Sequence, residues 1–261
     1  MPSAAETAEL RRVVNRGRQL FEIDRAAQLT TRELLTRIPD PAAAGVVGWI
    51  AEPEGNGITV SYYAQADAGP VTVFRGQVIE GRVAARDMFT GADRPALTPF
   101  QRRLVAARAT VEALGNQPCG EAPFNIFAVP PTTRTGAIDV YQFSARTAAA
   151  QIPGGGHFVT TVAADGTAGT PRSLTGACRT IELPQAAQGQ RPPPVRLAQE
   201  GAALPNEAHV LMSYWAGRPI FVAAGTPERL WGIAGDEIRL VGVRREAADA
   251  PLPPPPPGQG R

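Results

Sequence analysis

Five side chains in this chain have types and positions that could do chemistry. Two are its only histidines, His157 in "GGGHFVTTVAADG" and His209 in "NEAHVLMSYW", and two are its only cysteines, Cys119 and Cys178. The fifth is Glu207, two positions before His209. If "EAHVLMSYW" is a strand, the period of two puts Glu207 and His209 on the same face, which continues with Leu211 and Ser213. The opposite face, with Val210, Met212 and Tyr214, is the more apolar one. His157 arriving from a neighbouring strand would complete a set of two imidazoles and one carboxylate, suited to a divalent metal. The competing reading has each histidine hydrogen-bonded near a sheet surface. No HExxH, no CxxC and no HxH with a downstream glutamate supports the metal set.

The cysteines lie far apart, each beside a turn and just before a stretch with strand character. They are read either as one disulfide, worth roughly 3 to 4 kcal/mol at that loop length, or as two buried thiols. A nucleophile is the third role, with Cys178 needing His157 as its base.

Composition closes other routes. All 26 basic residues are arginine, so mechanisms that need an amine, such as a P-loop lysine or a Schiff base, are excluded. Glycines 154–156 are followed by a strand and not by a helix, so they are not a phosphate cradle; they allow a tight bend before His157. There is no GxSxG nucleophile elbow. A formal charge of only +2, with signs interspersed, argues against nucleic acid as a partner. No window reaches about 18 uninterrupted apolar residues, so no membrane span is expected. The N-terminal stretch reads as a polar helix and not as an export signal.

The elements that must position these residues follow from periodicity and punctuation. A length of 261 residues with 43% apolar and 19% charged side chains can bury a sizeable core. Ser3 and Glu6 form a capping box ahead of Leu10, Val13, Val14, Leu20 and Phe21, which predicts a helix to about residue 25. Thr30 and Glu33 repeat the box, predicting a second helix that stops at Pro39-Asp40-Pro41. From residue 45 the period becomes two, and runs separated by Glu-Gly-Asn-Gly and Asp-Ala-Gly-Pro predict an antiparallel meander. Thr98 as N-cap, Pro99 at the first helical position and Gly115 beyond the end predict a central helix over 98–114.

The second half alternates strand-like runs and turns, among them "FNIFAVPP", "AIDVYQFSA", "EAHVLMSYW", "RPIFVAAG" and "EIRLVGVRR". A long Pro/Gln-rich stretch over 184–206 reads as a mobile or draped loop, and the proline-rich tail 246–261 as extended and disordered, with PxxP spacing that a proline-reading domain could take.

Several of these runs together, "RGRQLFEIDRAAQLTTRELL" with "VVGWI", "CGEAPFNIFAVPP", "IPGGGHFVTTVAADG" and "EAHVLMSYWAGRPIFV" with "RLWGIAGDEIRLV", resemble an uncharacterised family of bacterial proteins, many of them exported, over about residues 17–243. The resemblance implies an extracytoplasmic, periplasmic setting and places His157, Cys119, Cys178, Glu207 and His209 in the family's pattern. It carries no activity.

The expected fold is α+β: a mainly antiparallel, meandering sheet or pair of sheets, covered by the N-terminal helices and the central helix, in a single domain over 1–245 with a second-choice boundary near 115–120. The expected function is a non-catalytic envelope-associated module that binds a small molecule or a protein, with no cofactor. The alternative is a metal-dependent enzyme of hydrolase or oxygenase type that holds a divalent metal on His157, Glu207 and His209.

Overall fold

The first 37 residues form one rod. In the computed structural model, which describes residues 1–185, 192–199 and 201–244, α1 runs without a break over Ala4–Arg37. The Ser3 hydroxyl accepts from the Glu6 amide at 3.2 Å and the Glu6 carboxylate accepts from the Ser3 amide at 2.8 Å, the reciprocal cap expected. The expected break at Thr30 is absent. Thr30 lies buried in mid-helix, and its hydroxyl donates to the Ala26 carbonyl at 2.8 Å instead of capping a new helix. The buried positions Leu10, Val13, Gly17, Leu20, Ile23, Asp24, Ala27 and Leu34 recur every three or four residues, one face of a single helix.

The meander follows as predicted: β1 (Val46–Glu54), β2 (Gly57–Ala66), β3 (Gly69–Ile79) and β4 (Arg82–Met88) pair antiparallel in chain order. Next, α2 (Pro99–Glu112) is capped by Thr98 in a box with Gln101. It lies against β1 and against β5 (Asn125–Val129), β6 (Ile138–Phe143) and β8 (His157–Val162) of a second sheet, where Leu104, Val111, Ile126 and Val140 make a common cluster. Between β6 and β8 the short β7 (Gln151–Pro153) leaves to pair with β10 (Thr180–Glu182), while β9 (Arg172–Ser173) closes the second sheet on the far side of β8.

The third sheet holds the main departure from expectation. Its order is β11 (Val195–Gln199), β12 (Ile220–Ala224), β13 (Arg229–Ala234) and β14 (Glu237–Val243), and β11 pairs parallel to β12. A parallel pair needs a long crossover. That crossover is α3 (Glu207–Ala216), formed by the residues read from sequence as a strand. Asn206 caps it, accepting from the Ala208 amide at 3.0 Å, and Gly217 ends it in the left-handed conformation at φ 61°. The stretch expected as a loop over 184–206 thus contains a strand. Residues 186–191 and 200 of that stretch lie outside the described residues, as does the proline-rich tail 246–261.

The fold is α+β with mostly antiparallel sheets, as expected. α1 touches β2, β3, β5, β14 and α3, so one cluster of buried residues draws on both sides of 115–120, from Val13 through Phe74, Phe127 and Phe143 to Ile233. Among the described residues no helix is long and apolar enough to cross a membrane.

Candidate functional site

Helix geometry undoes the proposed metal face. Residues two apart on a helix point about 200° away from each other, so Glu207 and His209 diverge. The Glu207 side chain is buried and turns toward the second sheet, where Oε1 accepts from the Tyr141 hydroxyl at 3.1 Å and from Arg172 Nη2 at 3.1 Å. Burial and the Glu207 carboxylate push the Tyr141 hydroxyl well above its ordinary pKa.

His209 goes the other way. Its Nδ1 accepts from the Asn206 amide at 3.2 Å as part of the helix cap, which leaves the ring proton on Nε2. At 1% exposure it does not face the wetter side of a sheet. Burial, reinforced by His157 and Arg179 nearby, pushes its pKa down to about 3.

His157 is fully buried at the start of β8. Nδ1 accepts from the Ser144 amide at 3.3 Å, so Nε2 carries the proton and donates to the Pro153 carbonyl at 3.0 Å. Burial lowers its pKa to about 4. The ring also packs near Phe143 and Trp215. In this arrangement neither Nδ1 lone pair is free for a metal. Among the described residues no group of three His, Cys, Asp or Glu side chains is placed to hold one. Both histidines are therefore core groups, and the reading that put them at a sheet surface is corrected: loss of water is the main cause that keeps them neutral, with nearby charge adding to it at His209.

The cysteines are bonded to each other: Cys119 and Cys178 form a disulfide with Cα atoms 5.3 Å apart. That leaves no thiolate for a nucleophile. The triple glycine explains itself against this bridge. A β-carbon on Gly156, whose φ is 67°, would fall 2.6 Å from Cys119 Sγ and 2.6 Å from Ser144 Oγ, and one on Gly155 would fall 2.5 Å from the Ala177 carbonyl. The bare backbone is what lets the chain pass the bridge and deliver His157 into the core. Ser144 ties the two together, its hydroxyl accepting from the Cys119 amide at 2.8 Å and donating to the Gly156 carbonyl at 3.0 Å.

What the sequence reading did not find is a cleft of about 550 Å³ beside α1. Asp24 lies in its wall, with Trp49 of β1, Asn125 of β5, Trp215 of α3 and the loop Arg146–Ala149 around it. Asp24 is only 6% exposed. Its Oδ2 accepts from Trp215 Nε1 at 2.8 Å and from Gln28 Nε2 at 2.9 Å. Oδ1 accepts no hydrogen bond from the described residues.

Comparison with protein-family models, with curated proteins and with solved structures finds no match for this chain.

The cleft wall is built to hold its shape. Arg146 donates from Nε to the carbonyls of Ala148 at 3.3 Å and Gln151 at 3.0 Å, from Nη1 to the Trp215 carbonyl at 3.2 Å, and from Nη2 to the Ala149 carbonyl. One guanidinium thus ties the loop to the last turn of α3, where a cation also suits the helix dipole. Burial raises the Asp24 pKa; the hydrogen bonds from Trp215 and Gln28 and the charge of Arg146 oppose that rise without cancelling it. The signal for this site was present in the sequence: a lone carboxylate between Ile23 and Ala27 on the apolar stripe of α1. A second cleft, of about 670 Å³, lies farther along α1 beside the stacked rings of Phe21 and Tyr214, whose centroids are 4.3 Å apart.

Proposed function

We propose that this protein is a non-catalytic binding module that takes a small molecule in the Asp24 cleft. One observation carries the reading: a buried carboxylate, held on Oδ2 by Trp215 and Gln28, in the wall of a cleft of ligand size. Two further features support it. The imidazoles and Glu207, the groups best suited to proton transfer, are engaged with backbone amides, a tyrosine and an arginine in the core. The disulfide belongs to the chemistry of oxidising compartments, in keeping with an envelope-associated role and with the resemblance to exported bacterial proteins.

The test is a small-molecule panel read by thermal denaturation of the full chain, alongside Ala148→Trp, which places a large ring at the rim of the cleft. Some compounds should raise the melting temperature of the natural protein and leave the variant unmoved. A panel without effect on either, or with equal effect on both, would remove the cleft from consideration. Stoichiometric metal in purified protein, lost in the variant combining His157→Ala with His209→Ala, would point to the metal-dependent enzyme instead.

A further inference from the structure

One loop separates the disulfide from the Asp24 cleft. Of its residues 145–150, Arg146, Thr147, Ala148 and Ala149 line the cleft, while Ala145 and Thr147 border a smaller hollow whose wall includes Cys119. Each end of this loop is fastened to a segment that carries a cysteine. At its start, the Ser144 hydroxyl accepts from the Cys119 amide at 2.8 Å. At its end, Gln151 belongs to β7, and β7 pairs with β10, which begins just beyond Cys178. The Gln151 carbonyl accepts from Arg146 Nε at 3.0 Å and the Ala150 carbonyl from the Leu183 amide at 2.7 Å, so the guanidinium that shapes the cleft wall is itself held through β7 and β10.

Neither cysteine segment has much else to hold it. Among the described residues no hydrogen bond between main-chain groups reaches 115–124 or 175–178. Ordering such stretches costs conformational entropy that no ladder offsets, and the bridge restrains both at once. We infer that the disulfide gates the cleft: the oxidised chain holds the 145–150 wall in the shape that binds, and the reduced chain does not. The binding half of this inference rests on the cleft being a ligand site, and it makes binding conditional on an oxidising compartment. A dithiol reverses the gate at the exposed Cys178. One thiolate of the dithiol attacks the Cys178 sulfur, the bond to Cys119 breaks, and the second thiol of the reagent then displaces Cys178 from the mixed disulfide. Two electrons and two protons pass to the cysteines, which become thiols, and the dithiol is oxidised to its own disulfide.

The experiment compares the full chain oxidised, reduced with dithiothreitol, and carrying Cys119→Ser with Cys178→Ser. Hydrogen exchange over the first minutes, which reports local opening and not global unfolding, is followed by mass spectrometry in peptides covering 144–156 and, as the control, β2 and β3. Loss of the bridge should raise exchange at least tenfold in 144–156, where the amides of Ser144, Gln151 and Gly154 are hydrogen-bonded, and leave β2 and β3 protected. Compounds that stabilise the natural protein but not Ala148→Trp should bind at least tenfold more weakly once the bridge is gone. Unchanged exchange in 144–156 overturns the gate. So does exchange that rises equally in β2 and β3, which would make the bridge a support of the whole fold. A compound that binds oxidised and reduced protein equally well overturns it too. A panel without any cleft ligand removes the binding reading alone, and the exchange result then decides whether the bridge holds the wall.

Discussion

Gly17 of α1 and Val210 of α3 stand so close that a β-carbon on the glycine would fall 2.4 Å from Val210 Cβ and 3.0 Å from the Glu207 carbonyl. Glycine in a helix ordinarily costs about 1 kcal/mol relative to alanine. Here the contact reverses that preference, because Val210 Cβ is fixed to its backbone and the two helices must separate to admit a methyl group. Gly17→Ala is expected to destabilise by about 1 to 3 kcal/mol, as other overpacked cores do. A chemical denaturation midpoint equal to or above that of the natural protein would show that α1 and α3 do not meet at this point.

The histidines predict loss of stability toward acid. Both are neutral in the fold, with pKa values near 4 for His157 and 3 for His209, whereas the unfolded chain takes up their protons near pH 6.5. The unfolded state therefore binds more protons from about pH 6.5 downward, and stability falls by up to about 1.4 kcal/mol per pH unit for each histidine until the native values are reached. Asp24 acts with the opposite sign, since its raised pKa favours the fold at low pH and loses that contribution as the pH rises through it. Denaturation midpoints between pH 7 and pH 4 should fall. With His157→Phe and His209→Gln the fall should flatten, and an unchanged slope would mean that these imidazoles are not what titrates.

Reduction of the disulfide should cost about 4 kcal/mol, the chain entropy released when a bridge across 59 residues opens. Cys178 is exposed, so the bridge is within reach of a small reductant. The check is denaturation of the natural protein with and without dithiothreitol, and of Cys119→Ser combined with Cys178→Ser. Equal midpoints in all cases would contradict a bridge in the folded protein.

Glu207 separates a buried contact from a surface one. Arg172 keeps 58% of its side chain exposed, so its ion pair with Glu207 is solvent-screened, and Arg172→Ala should cost less than about 1 kcal/mol. Glu207→Ala instead strands the buried Tyr141 hydroxyl and should cost about 1 to 3 kcal/mol. Equal losses in the two variants would place the weight of the cluster on the arginine.

Local punctuation was legible at the central helix and the meander, but not at Thr30, where an apparent cap lies in the middle of α1. Thr98, Pro99 and the turns of the meander lie where their chemistry says, because caps and tight turns are satisfied by neighbours in the chain. α3 was not legible as a helix. Nine of its ten residues are buried, so no polar face breaks the apolar run and the period of 3.6 has nothing to show itself against. The cues were at its ends, Asn206 and Gly217, and the apolar run outweighed them. The error carried over to the site: a strand reading united Glu207 with His209, while the helix sends one into the second sheet and the other into its own cap. Asp24 was visible as a carboxylate on the apolar stripe of α1, but its partner Trp215 was not, because it lies 191 residues away, a distance that no local pattern spans.

The bridge between Cys119 and Cys178 also encloses β5 through β9, making of that whole span a covalent ring with two tails. A protease that nicks the backbone once anywhere inside the ring leaves every fragment still attached. Such damage would be silent in size until a reductant released the pieces, so in an oxidising compartment the second sheet can survive a cut that would detach it from an unbridged chain.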